Sequence, residues 1–360
     1  MRAMLLRNPA PLADHPLALE AAEVPAPSPA ARELLVRVSA CGVCRTDLDL
    51  AEGRLVAPAY PVIPGHQVVG RVVARGAGAV AFHEGDRVGV AWIHSACGRC
   101  RWCLSGTENL CPEFCATGCD VNGGYAEYLV VPEAFAHAIP DGLADTSAAP
   151  LLCAGAIGWR SLRLTDLADG QPLGLTGFGA SGHLMLQTAR HRYPHSPVYV
   201  FARSAGERAF ALELGADWAG DTTDRPPQPM MAIVDTTPAW KPVVEALGHL
   251  APGGRLVINA IRKESRDQPE LLRLEYATHL WHERDVKSVA NVTRADVREF
   301  LDAAVRMELR PTVSEVPLSE ANDALAWLRS GEAIRGSRVL RVADEAPMRP
   351  RGAAPSAPAT

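Results

Sequence analysis

The chain has 360 residues, of which 48% are hydrophobic and 21% charged, and its formal net charge is −5. This balance fits a globular protein with room for two cores, and it offers nothing to attract nucleic acid. No apolar run reaches the roughly 20 residues of a bilayer-spanning helix, and the opening MRAMLLRNPAPLADHP lacks the apolar core of a secretion signal. A cytoplasmic protein without membrane or nucleic-acid partners is therefore expected. Nine cysteines suit a reducing compartment when most of them bind metal.

In chain order, ELLVRVSA (33–40), QVVGRVVARG (67–76), DRVGVAW (86–92) and AEYLVVP (126–132) are rich in valine and bounded by Gly, Pro or Asp. They predict a β-rich, antiparallel first domain over 1–153. From about residue 154 strands alternate with helices: PLGLTGFG, then SGHLMLQTARHR; PVYVFA, then GERAFALELGAD; MAIVDTT, then PAWKPVVEALGHL; and finally GRLVINAI. This grammar predicts βαβ units and a parallel sheet over 154–290. TRADVREFLDAA (293–304) and SEANDALAWLRS (319–330) read as helices in a segment, 291–342, that returns to the first domain. A Pro/Ala-rich disordered tail is expected over 343–360.

The strongest local signal is Cys97-x2-Cys100-x2-Cys103-x7-Cys111, within a lobe spanning 92–115. Four thiolates close a tetrahedron around one Zn²⁺ and leave no position for substrate, so a structural site is expected. An iron–sulfur cluster is the rival, since the first three cysteines share ferredoxin spacing. Cys115 and Cys119 fall outside the pattern and read as small, semi-buried residues.

Three weaker segments gain meaning together: Cys41-Gly-Val-Cys44-Arg45-Thr46-Asp47, Pro64-Gly-His66-Gln67 and Leu152-Cys153-Ala-Gly. Two thiolates and one imidazole with a fourth position open make the donor set of a catalytic zinc. With ACGVCRTD, PGH, the four-cysteine lobe, APLLCAG and GFGASG in this order, residues 1–342 resemble the zinc-dependent alcohol dehydrogenases of the medium-chain dehydrogenase/reductase superfamily. The resemblance implies a β-rich GroES-like catalytic domain and a Rossmann-type, doubly wound cofactor domain of α/β class. It implies Cys44, His66 and Cys153 as catalytic zinc ligands, with Cys41 outside the set, and Cys97, Cys100, Cys103 and Cys111 around the structural zinc. It gives Thr46 the proton relay. It places Trp92 at the substrate pocket, where a core tryptophan is the alternative, and implies a homodimer or homotetramer acting on a small alcohol or aldehyde.

Two positions depart from the best-known relatives. Asp49 stands where several of them end the relay with histidine, and reads either as a relay carboxylate or as a surface one. Gln67 stands where many carry glutamate, which removes a negative charge near the metal.

Gly177-Phe-Gly179-Ala-Ser-Gly182 follows a predicted strand and opens a helix, as in a dinucleotide-binding turn. The next strand ends on Ala202, where an NAD site usually carries an acid, and Arg203 and Ser204 follow. Loss of that acid and gain of Arg203 favour NADP(H), with NAD(H) as the alternative. Arg45 is expected on the pyrophosphate, joined from the C-terminal segment by Arg338 or Arg335. The expected activity is reversible hydride transfer between alcohol and aldehyde; same-fold reduction of another carbonyl or a conjugated double bond, and cofactor binding without turnover, are the alternatives.

Overall fold

The computed structural model describes residues 1–331 and 335–343. The expected tail lies outside the described residues from position 344 onward. Two sheets organise the molecule, each with its own apolar cluster.

The first is a seven-stranded sheet. Its main path runs Val313–Pro317, Ser337–Arg341, Glu33–Val43, Val68–Arg75, Arg87–Val90 and Ala136–Ala138, and Tyr128–Pro132 also pairs with Glu33–Val43. The pairings are antiparallel except between Val313–Pro317 and Ser337–Arg341. Alternating valines supply its buried side: Val36, Val38, Val68, Val72, Val88, Val90 and Val131 are at most 1% exposed.

The second sheet has six strands, all parallel, in the order Trp218–Gly220, Val198–Phe201, Leu173–Thr176, Met230–Asp235, Leu250–Ile258, Asp285–Ser288. Helices Ala180–Arg192, Ala205–Glu213 and Lys241–His249 connect successive strands. The chain moves outward on one side of Leu173–Thr176 and then returns to start Met230–Asp235 on its other side. That reversal opens the crevice where open α/β sheets bind ligands. The strand Val198–Phe201 is buried throughout, as a strand covered on both faces must be.

Helix Ala154–Leu164 leads from the first sheet into the second and packs against Arg294–Arg306 and Ala180–Arg192. The sequence pattern did not single out this helix, nor the strands Val313–Pro317 and Ser337–Arg341. The last of these pairs antiparallel with the far end of Glu33–Val43, matching Arg338 with Val43.

Candidate active site

Register brings the first two thiol and imidazole donors together. Strands Glu33–Val43 and Val68–Arg75 are antiparallel with Cys41 opposite Val68, so Cys44, just past one strand, lies beside His66, just before the other. Gly65 makes the turn into His66 at φ +99°, and a Cβ there would come within 2.4 Å of Tyr125 and 2.8 Å of Cys41 Sγ. Only glycine fits that backbone. Cys153 arrives from the short helical turn Ala149–Leu152 and caps helix Ala154–Leu164. The ligand atoms of Cys44, His66 and Cys153 lie within 4.8 Å of one another. Cys41 stays out of this group, fully buried.

His66 is 1% exposed, and its Nδ1 lies 3.1 Å from Asp47 Oδ1 while its Nε2 is buried with no partner. The carboxylate fixes the tautomer with the proton on Nδ1, leaving the Nε2 lone pair for a metal. Asp47 sits at the third position of helix Arg45–Ala51, where Oδ2 accepts from the Cys44 amide at 2.8 Å and from the Tyr125 hydroxyl at 3.1 Å. Burial alone would push the His66 imidazolium down, but Asp47 and Cys44 more than offset it and bring the group up to about 10. The bond from Cys153 pulls the Cys44 thiol down, with His66 adding to it, and pushes Cys153 up in return. Two thiols, one imidazole and a field that favours positive charge fit a divalent cation.

Trp92 packs its ring edge-to-face on His66, with centroids 4.8 Å apart, and is 9% exposed. Thr46 places its hydroxyl 3.7 Å from Cys44 Sγ. Gln67 is buried against Gly42, whose amide donates to the Gln67 carbonyl at 2.9 Å. Asp49 is neither exposed nor alone. It is 1% exposed, and Oδ1 accepts from Arg54 at 2.7 Å and from Arg262 at 2.8 Å. The surface setting therefore does not hold for this carboxylate.

The second cluster gathers Cys97, Cys100, Cys103 and Cys111, with sulfurs within 4.8 Å. Amides of Cys97, Cys100 and Glu113 point at sulfur from 3.3–3.4 Å. Bonds from the Arg99 and Cys100 amides draw Cys97 down to about 7, toward the thiolate that binds metal. The lobe is tied to the second half of the chain. Glu108 Oε1 accepts from both the amide and the Nε of Arg294 at 2.9 Å, and Asn109 donates to the Ala290 carbonyl at 2.6 Å. All nine cysteines are free thiols.

In the crevice, Gly177 adopts φ +85°, and a Cβ there would strike Thr236 Oγ1 at 2.6 Å. A Cβ on Gly182 would meet the Gly177 carbonyl at 2.6 Å, whereas one on Gly179 would meet nothing within 4 Å. Two glycines thus close the turn onto its helix, and the third leaves the backbone open to a pyrophosphate at the helix start. Arg45 and Arg203 are exposed. Ser204 caps helix Ala205–Glu213: its hydroxyl accepts from the Glu207 amide and donates to the Glu207 carboxylate at 2.9 Å. Arg338 lies over the Trp327 ring at 4.3 Å, opposite Val43 and so beside Cys44, with its Nε buried and unpartnered. Arg335 is engaged elsewhere, pairing with Glu213 at 2.7 Å and stacking on Phe210.

Residues 30–141 match the alcohol dehydrogenase GroES-like domain model. Over 347 residues the chain is 46% identical to a probable alcohol dehydrogenase, AdhA, of Mycobacterium tuberculosis, covering 95% of this chain and 97% of that one. The chain belongs to the medium-chain alcohol dehydrogenase family. An alcohol dehydrogenase of Geobacillus stearothermophilus is 34% identical over 91% of this chain and 97% of its own. Among solved structures, a thermostable alcohol dehydrogenase from Pyrobaculum aerophilum superposes with TM-score 0.85 at 26% identity, covering 95% of this chain and 99% of that one. A cobalt- and zinc-bound thermostable alcohol dehydrogenase from the same organism gives TM-score 0.83 at 26% identity over the same shares. This family member is an oxidoreductase of small alcohols and aldehydes. No helix among the described residues is long and apolar enough to cross a membrane.

The sequence motifs alone did not point to Tyr125, Glu108 or Arg262 as parts of these sites. Asp47 had a signal: an acid three residues after the cap position is the reciprocal half of a capping box.

Proposed function

We propose that Cys44, His66 and Cys153 hold a catalytic Zn²⁺, that the four-cysteine lobe holds a structural one, and that the chain reduces aldehydes and oxidises alcohols with NADP(H). The observation that carries the catalytic assignment is the orphaned, buried Nε2 of His66 facing two thiols. When bound, the metal supplies Lewis-acid polarisation of the reacting oxygen and the nicotinamide supplies or receives hydride.

The residues of the chain do the rest. Asp47 holds the His66 ring in one tautomer, and Trp92 walls the imidazole on one side and keeps water from it. Thr46, two residues past Cys44, carries the proton between the substrate oxygen and the outside, since a hydroxyl both donates and accepts. Arg45, the first residue of helix Arg45–Ala51, and Arg338, opposite Val43, neutralise the pyrophosphate, while Gly177, Gly179 and Gly182 let it approach the backbone. Arg203 pairs with the 2′-phosphate. Ser204 contributes its amide end of the helix more than its hydroxyl, which Glu207 already occupies.

The exposed edge strand Asp285–Ser288 beside exposed Tyr276 and Trp281 supports a homodimer, which a homotetramer would extend. Nine cysteines with no disulfide among them suit the cytoplasm.

The test is a panel of aldehydes assayed with both cofactors, alongside metal analysis. Turnover that disappears in Cys44→Ser and in His66→Ala supports the reading. Aldehyde reduction that survives both substitutions overturns it.

A further inference from the structure

Asp49, open in the sequence between a relay carboxylate and a surface one, has a third setting. Its side chain is 2% exposed, and a single oxygen, Oδ1, lies 2.7 Å from Arg54 and 2.8 Å from Arg262. Arg54 is local, just beyond the same helix. Arg262 comes from the other half of the molecule, four residues past the end of strand Leu250–Ile258.

The neighbour of Arg262 is fixed from the opposite side. The Lys263 ammonium pairs with the buried Asp235 carboxylate and donates to the carbonyls of Thr237 at 2.7 Å and Ala239 at 3.1 Å. All three of its donors are therefore used on the central strand Met230–Asp235 and the loop after it. Adjacent residues thus grip different bodies. Lys263 holds the parallel sheet, and Arg262 holds the helix that starts at Cys44 and carries Arg45 and Thr46.

We propose that Arg262 is a positioning residue for hydride transfer, acting through Asp49 to set helix Arg45–Ala51 against the parallel sheet. Asp49 serves as the anchor of this clamp: its Oδ1 accepts from one guanidinium on the same side and one from the other half of the molecule. It lies five positions along from the cap residue Cys44, about 7.5 Å, so a shift at Arg262 is passed to the proposed metal ligand by a rigid element. Hydride transfer is sensitive to such shifts: misplacement by about 1 Å costs about a hundredfold in rate.

The inference rests on the reading of the chain as a hydride-transferring enzyme, and the test separates the two. Arg262→Ala, Arg262→Lys and Arg54→Ala are compared with the wild type as full chains. Arg262→Ala is expected to keep its metal content and to bind ADP-ribose within about twofold of wild type, since neither the thiols nor the glycine turn is touched. Its kcat/KM for aldehyde reduction falls about ten- to a hundredfold, and its primary deuterium isotope effect rises as the hydride step becomes limiting. Arg262→Lys and added guanidinium ion each recover most of the loss, whereas Arg54→Ala, which leaves the cross-body pair in place, loses less than about threefold. Amide hydrogen exchange, which needs no turnover, quickens in both 45–51 and 259–263 of Arg262→Ala.

The clamp is overturned if kcat/KM stays within twofold, if metal or ADP-ribose binding falls in parallel with it, or if exchange is unchanged in either segment. A wild type that turns over no aldehyde sinks the functional reading instead, and the exchange data alone then decide the clamp.

Discussion

The Nδ1 of His66 lies 3.1 Å from Asp47 Oδ1, and both side chains are at most 2% exposed. One carboxylate thus orients the imidazole and, through its second oxygen, fixes the Cys44 amide and the Tyr125 hydroxyl. Asp47→Asn keeps the shape but lets the amide present its nitrogen to the ring. The expected outcome is a metal affinity at the His66 site lowered about 10- to 100-fold, read by competition with a chelator. An affinity within twofold of wild type would show that the ring is oriented by packing against Trp92.

The cysteine lobe should behave as a docked unit. Burial pushes Glu108 up, but the amide and guanidinium of Arg294 more than offset it and hold the carboxyl below its ordinary range. Glu108→Gln keeps the shape and removes the charge, so a loss of about 2 kcal/mol is expected in urea unfolding. Cys97→Ser should remove one metal per chain and lower Tm further, while leaving the other metal in place. Loss of both metals together would mean that the two clusters do not fold independently.

Two buried histidines set an acid limit. Burial, with Arg298 and Arg294 adding to it, pushes His137 down to about 3, and burial pushes His183 down to about 4. In the unfolded chain both take up a proton near pH 6.5. The unfolded state therefore binds more protons between those values. The contribution of these two histidines is full above about pH 6.5 and declines as pH falls toward 4, by about 1.4 kcal/mol per pH unit for each group. His137→Leu should flatten the slope of Tm against pH over this range; an unaltered slope would rule His137 out as its source.

The proposed preference for NADP(H) is tested at the end of strand Val198–Phe201. NADP(H) is expected to outperform NAD(H) in kcat/KM, and Arg203→Ala should cost about tenfold with NADPH while leaving NADH unchanged. A tenfold preference of the wild type for NADH would remove Arg203 from the site.

Much of the grouping of these side chains was legible, because a donor set suited to metal narrows residue choice. Four cysteines at close spacing, and a proline–glycine–histidine turn beside a valine run, stand out in any sequence. The alternation of strands and helices after residue 154 likewise dictated a parallel sheet, because each apolar strand needs a covering helix. What stayed hidden depends on distance in the chain. Arg262 meets Asp49 across 213 positions, and Arg294 meets Glu108 across 186, with no local pattern to announce either pairing. Helix Ala154–Leu164 was missed for another reason: its glycines at 155 and 158, which fit tightly against Phe300 and Met185, lower its helix propensity.

The pairing of Ser337–Arg341 with Ala40–Val43 bears on how the protein is made. Every strand of the parallel sheet lies between residues 173 and 288. That sheet can therefore be complete while the nascent chain still lacks the strand that covers residues 40–43. During that interval the backbone just before Cys44 offers bare amides and carbonyls to any other polypeptide in reach. Release of the last strand from the ribosome ends this exposure.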